Sequence, residues 1–157
     1  MRVYLGSDHA GFDLKQRLVD HIGSLGHDVV DCGPPAYDAE DDYPPYVLLA
    51  ACRAAGDPGS RGIVLGGSGN GEAIAANKVP GVRCALAYSD DTARLAREHN
   101  DANVLSLGAR MYDEAAALRY VELFLSTAFS DEPRHVRRID QITGYERTKE
   151  LPALPAG

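Results

Sequence analysis

Apolar residues in this chain follow two rhythms. Short solid runs such as Val3-Tyr4-Leu5, Val29-Val30, Ile63-Val64-Leu65 and Val104-Leu105 are the pattern of strands buried on both faces. Between them, apolar residues return every three or four positions, as at Leu14, Leu18, Ile22 and Leu25, which is the pattern of helices with one buried stripe. Taken in order, the chain predicts a strand at Arg2–Gly6, a turn Ser7-Asp8-His9-Ala10-Gly11, a helix closed by Gly26, and a strand at His27–Cys32. A loop from Gly33 to Asp42 carries Pro34-Pro35 and the acids Asp38, Glu40, Asp41 and Asp42, with no role visible beyond solvation. Pro44 and Pro45 fit the first turn of a helix running to about Gly56, and Asp57-Pro58-Gly59-Ser60 is a turn. Strands follow at Gly62–Leu65, Val82–Ala87 and Asn103–Leu107. Helices are predicted at Ala73–Lys78, from the N-cap Ser89 to about His99-Asn100, around Glu114 to Leu125, and after Ser130-Asp131-Glu132-Pro133.

Strands alternating with helices predict an α/β fold: a three-layer, doubly wound, five-stranded parallel sheet of Rossmann or flavodoxin type. The expected strand order is 2-1-3-4-5, with residues 1–150 as a single domain and 151–157 as a loose tail. In that order the chain reverses between strands 1 and 3, and ligands bind outside the carboxyl ends of strands at such a switch point. The turns that meet there are Ser7-Asp8-His9 and Gly66–Glu72.

A length of 157 residues suits one hydrophobic core. The net charge of -7 argues against nucleic acid or an anionic membrane as partner. Cys32, Cys52 and Cys84 are odd in number and unclustered, which suits free thiols in a reducing cytoplasm. The N-terminus runs straight into strand-like sequence, with no signal peptide or membrane span expected. No H-x-x-x-H, C-x-x-C or calcium-loop spacing occurs, so no metal is expected.

Candidate chemistry centres on Gly66-Gly67-Ser68-Gly69-Asn70-Gly71-Glu72. It keeps the glycine spacing of a P-loop, but an acid stands where the phosphate-binding lysine belongs and would repel a nucleotide triphosphate. A carboxylate beside a turn crowded with N–H groups suits proton abstraction next to a carbonyl, the N–H groups holding the enediolate. Equally, Glu72 can simply complement a helix N-terminus. Gly6-Ser7-Asp8-His9-Ala10-Gly11 is close to a dinucleotide fingerprint, with Asp31 placed like a ribose-binding acid, but Asp8 blocks the pyrophosphate approach. Asp8 alone reads either as an N-cap or as a catalytic acid. His99 and Asn100 sit where a helix C-terminus favours them on structural grounds. Arg134 and Arg138 are four apart and could clamp one phosphate, whereas Arg137 lies off that face; Arg110 follows the fifth strand.

Four motifs occur in order: Gly6-Ser7-Asp8-His9-Ala10-Gly11; Gly67-Ser68-Gly69-Asn70-Gly71 with Ile74–Lys78; Glu98-His99-Asn100 with Asn103-Val104-Leu105; and Arg134-His135 with Arg138. Together they resemble the type B ribose-5-phosphate isomerases, which belong with the galactose-6-phosphate isomerase subunits, from about Arg2 to Tyr145. The resemblance implies a homodimer with sites shared between subunits, a tetramer staying open, and no cofactor or metal. It implies interconversion of ribose 5-phosphate and ribulose 5-phosphate in the pentose phosphate pathway, through a cis-enediolate. It further implies that Asp8 and a partner-borne His99 assist ring opening, and that His9, Arg110, Arg134 and Arg138 hold the phosphate. Asn100 and the backbone of Gly67, Ser68, Gly69, Asn70 and Gly71 would hold the enediolate oxygens. Many members carry a cysteine base at the position of Gly66. The branch that this chain resembles, like the mycobacterial enzyme, has glutamate at Glu72, which makes Glu72 the expected base. An isomerase of tetrose or hexose phosphates and a non-catalytic sugar-phosphate sensor are the alternatives; the company of Asp8, Glu72 and His99 argues against the sensor.

Overall fold

The computed structural model describes residues 1–154. Its strands are β1 Arg2–Ser7, β2 Asp28–Asp31, β3 Arg61–Gly66, β4 Cys84–Ala87 and β5 Val104–Gly108. Its helices are α1 Phe12–Ser24, α2 Tyr43–Gly56, α3 Asn70–Ala76, α4 Asp90–Asn100, α5 Glu114–Ser126 and α6 Pro133–Thr148. Pro44 and Pro45 do open α2, Ser89 caps α4 in a reciprocal capping box with Thr92, and Gly26 follows α1 at φ +85°. Of the expected loose tail, 151–154 form neither helix nor strand, and 155–157 lie outside the described residues.

All strand pairs are parallel, and the sheet order is β2-β1-β3-β5-β4. This corrects the expected 2-1-3-4-5: β5 enters between β3 and β4. Burial explains the exchange, since every residue of β5 is buried as an interior strand requires, while Cys84, Ala85 and Leu86 of β4 are only partly buried and suit an edge. Periodicity marks which segments are strands but carries no record of their order. The β1–β3 neighbourhood, and with it the switch point, is as expected.

The strand alternation sorts side chains between two cores. Val3, Leu5, Ile63, Leu65, Leu105 and Leu107 face a core built with α1, α4 and α5. Tyr4, Val64 and Val104 face the other, built with Val47, Ala50, Ala51 and Ala54 of α2 and with Ala76 of α3. The small α2 residues bring that helix close, and its N-terminus comes to the carboxyl ends of β1 and β3.

Lys15 is fully buried in α1, and its ammonium is met by Asp31 Oδ1 at 2.6 Å, Asp31 Oδ2 at 2.7 Å and the Pro34 carbonyl at 2.9 Å. Asp31 also accepts the Gly33 N–H at 2.8 Å. The carboxylate that was open to a ribose reading is therefore filled, and it pins the loop after β2 to α1. Lys15→Met should destabilise the fold by about 2–3 kcal/mol, discounted from a fully buried pair because Asp31 is one-third exposed. Asp31→Ala should cost more, since it strands a buried ammonium on one carbonyl; urea unfolding with an unchanged m-value measures both.

Candidate active site

β1 ends at Ser7, and Asp8 caps the short 3-10 turn His9–Gly11, its Oδ1 accepting N–H groups of Ala10 at 3.0 Å and Gly11 at 3.2 Å. The cap reading of Asp8 is thus correct, and the same side chain still lines a hollow outside the sheet. That hollow, of about 480 Å³, is bounded by Asp8, Tyr43, Gly67, Ser68, Gly71, Glu72, Arg110 and Met111. The β1 and β3 turns meet there, at the switch point.

The glycine turn is held by β5 beneath it. Ser106, fully buried, donates its hydroxyl to the Gly69 carbonyl at 2.7 Å, and Gly69 takes φ +81° with Leu86 and the Leu107 backbone pressed against it. A side chain at 69 would have both the wrong backbone and no room. α3 starts at Asn70, earlier than the expected Ala73, because Gly69 serves as its N-cap. That places Glu72 in the first helical turn. Among the described residues, the N–H groups of Gly67 and Ser68 meet no protein acceptor, while Asn70 N–H donates to Ser68 Oγ at 3.3 Å.

Glu72 is 4% exposed, and its carboxyl lies back over Gly66, so that any Cβ on residue 66 would run into it. Burial raises its pKa above the ordinary glutamate range, and the nearby Asp8 charge adds to the rise; its own N–H and that of Gly69 work the other way. Cys84 stands near Glu72, but burial, with Glu72 second, pushes its thiol up to about 12, which keeps it neutral. Tyr43 hangs its hydroxyl over Gly71, and Arg110, just past β5, has its guanidinium beside Gly67 with no carboxylate partner among the described residues.

The remaining candidates form a second group. His99 stacks on His135 with ring centroids 4.3 Å apart, at the end of α4 and the start of α6. His135 is buried, shares a 2.7 Å hydrogen bond with Ser130 Oγ, and has its pKa lowered by desolvation and then by His99. Arg134 Nε pairs with Glu132 at 2.8 Å, so the expected Arg134–Arg138 clamp is not preformed: a carboxylate two residues earlier already holds one arm. Asn100 is the last residue of α4 rather than its cap; Asp101 takes the left-handed position at φ 43°. No hydrogen bond, ion pair or shared hollow joins His99, Asn100, Arg134 or Arg138 to Glu72 among the described residues.

Tyr43, which lines the hollow, and Asp41, which meets His9 in the turn after β1, carry no warning in the sequence. Tyr43 follows the acidic run and resembles any helix-start residue. Asp41, in that run, turns inward: its side chain is 6% exposed and contacts His9. Among the described residues no three His, Cys, Asp or Glu side chains gather as a metal site would. A hollow lined by a buried carboxylate, spare N–H donors and a guanidinium can abstract a proton next to a carbonyl with the first and hold the resulting oxyanion with the others.

The family model for ribose/galactose isomerases matches residues 3–142. The chain is 59% identical over 155 residues to the ribose-5-phosphate isomerase B of Mycobacterium tuberculosis, covering 99% of this chain and 96% of that one. It is 55% identical to the Mycobacterium leprae protein of the same name, at 99% and 96% coverage. Among solved structures, ribose-5-phosphate isomerase B of Mycoplasma genitalium with bound ribulose-5-phosphate superposes at a TM-score of 0.90, with 40% identity and coverage of 94% and 97%. The type B ribose 5-phosphate isomerase of Trypanosoma cruzi gives 0.90 at 38% identity, with coverage of 95% and 98%.

Because the ionised form of Glu72 is penalised in the folded state, that penalty is complete above its raised pKa and vanishes below its unfolded value. Glu72→Gln should therefore raise the melting temperature at pH 8, and the gain should shrink as pH falls toward 4.5. Calorimetry across that range checks the sign.

Proposed function

The chain belongs to the ribose/galactose isomerase family, and we propose that it interconverts D-ribose 5-phosphate and D-ribulose 5-phosphate, with Glu72 as the base. The observation that carries the assignment of the base is the buried Glu72 carboxyl in one hollow with Asp8 and with Gly67 and Ser68, whose N–H groups meet no protein acceptor among the described residues. The reaction belongs to the pentose phosphate pathway. In its chemistry, Asp8 and His99 assist opening of the furanose ring. Glu72 then takes the C2 proton of the open aldose and returns it to C1, passing through a cis-enediolate. The upward shift of its pKa suits this task, because a carboxyl that holds its proton more tightly than an ordinary glutamate is the stronger base. The Gly67–Gly71 backbone and Asn100 hold the enediolate oxygens, and His9, Arg110, Arg134 and Arg138 grip the phosphate.

We further assign a homodimer, in which a second copy supplies His99, Asn100, Arg134 and Arg138 to each Glu72 hollow. Two features support this reading. Among the described residues no hydrogen bond, ion pair or shared hollow joins the two groups within one chain, and apolar side chains stay open to solvent at Met111 of the hollow, at Ile74 on the helix that carries Glu72, and at Tyr88 just past β4, at 64%, 64% and 67% exposed. Isolated exposed apolar groups are ordinary, but several beside a half-complete site mark an interaction surface. The setting we assign is cytoplasmic, in keeping with Cys32, Cys52 and Cys84 all being free thiols.

An isomerisation assay over four-, five- and six-carbon aldose phosphates, run beside Glu72→Gln, tests the function. Ribose 5-phosphate should give the highest kcat/KM, and Glu72→Gln should lose at least about a hundredfold in turnover while still binding sugar phosphate. Preference for a four- or six-carbon phosphate would reassign the substrate, and near-normal turnover in the variant would remove Glu72 as base. Sharing of sites has its own test. Glu72→Gln and His99→Asn should each be nearly inactive alone, whereas subunits mixed after dissociation should recover about a quarter of wild-type activity, one intact site in each mixed dimer. No recovery would place both residues in one chain's site.

A further inference from the structure

The acidic loop between β2 and α2 holds one residue that is not a surface acid. Asp38 turns the loop, its Oδ1 accepting the Glu40 N–H at 3.0 Å and its carbonyl the Asp41 N–H at 3.2 Å. The turn aims Asp41 at His9. Asp41 Oδ1 accepts both the His9 backbone N–H at 2.8 Å and His9 Nδ1 at 2.9 Å. Its other oxygen, Oδ2, is buried and meets no donor among the described residues. A carboxylate 94% removed from water, with only His9 as donor, needs its compensating charge from that ring. With Nδ1–H given to Asp41, Nε2 is an acceptor on a neutral ring and becomes a second donor when the ring is protonated; Nε2 of His9 has no protein partner among the described residues. Tyr37 stands edge-on to the ring, with centroids 6.4 Å apart, and packs in turn on Phe12 at 6.0 Å.

We propose that Asp41 is a positioning residue for substrate phosphate: it orients His9 by Nδ1 and by the backbone, and keeps it cationic, so that Nε2–H meets a phosphate dianion. The proposal rests on the reading above that His9 grips the phosphate. The charged or titratable groups facing His9 are Asp41 and Tyr37 from the loop and Asp8 from its own turn. The Asp41 hydrogen bond is the largest cause of a raised His9 pKa; burial pulls it down and Asp8 adds to the rise. Loss of Asp41 therefore lets His9 discharge at a lower pH.

Asp41→Asn, Asp41→Glu, His9→Ala and the Asp41→Asn/His9→Ala double variant decide it, read by KM for ribose 5-phosphate, the inhibition constant of inorganic phosphate, and kcat. Asp41→Asn should raise KM and the inhibition constant about tenfold at pH 8 and less at pH 6, with kcat within about threefold. Asp41→Glu, which keeps the charge, should recover part of the loss. On the His9→Ala background the same change should add less than about twofold, since its effect runs through the ring. The Cε1–H resonance of His9 should titrate above the ordinary histidine range in the wild type and fall back toward it in Asp41→Asn. Unchanged KM and inhibition in Asp41→Asn, an unchanged His9 titration, or full additivity with His9→Ala would overturn the proposal while leaving the phosphate reading intact. Unchanged KM in His9→Ala would remove His9 from the phosphate grip and the proposal with it.

Discussion

The contact on which the site depends is a carboxyl laid against a backbone with no side chain, Glu72 over Gly66. Residue 66 and the Glu72 carboxyl compete for one space, and only one can fill it. A side chain at 66 would expel the carboxyl from its buried position, away from the N–H groups of Gly67 and Ser68. The glycine therefore permits the acid, and the acid explains the glycine. The same burial that raises the Glu72 pKa costs folding energy whenever the group is charged, so the site stores instability that the surrounding fold must offset.

That offset comes from the elements beneath. Ser106 of β5 ties down the Gly69 carbonyl, and the insertion of β5 between β3 and β4 is what puts Ser106 there. Lys15 fixes the loop after β2 to α1, and that loop continues to Asp38 and Asp41. Asp8 gives one carboxylate oxygen to its cap and, so held, lines the same hollow as Glu72. Catalytic and structural roles coincide in these residues because a preorganised site is one whose side chains already have partners.

The strands and helices, the doubly wound parallel class and the β1–β3 switch point were legible in the sequence because each rests on local periodicity or on handedness. Strand order was not: β4 and β5 are both short and apolar, and only their unequal burial distinguishes edge from interior. Glu72 was legible because an acid at the end of a glycine turn is an anomaly. Asp41 and Tyr43 were not, since an acid among acids and a tyrosine before two prolines look ordinary until the loop is folded. The Arg134–Arg138 spacing was right for a shared helix face, but i, i+4 spacing does not reveal that Glu132 already holds Arg134.

Proton transfer by Glu72 is the claim that everything else serves, and isotope exchange reads it directly. With ribulose 5-phosphate as substrate in D2O, the wild-type protein should place solvent deuterium at C2 of the ribose 5-phosphate formed. Glu72→Gln should bind ribulose 5-phosphate with wild-type affinity yet incorporate at least about a hundredfold more slowly. Incorporation by Glu72→Gln at the wild-type rate would contradict the account, because the proton would then be moving through another group.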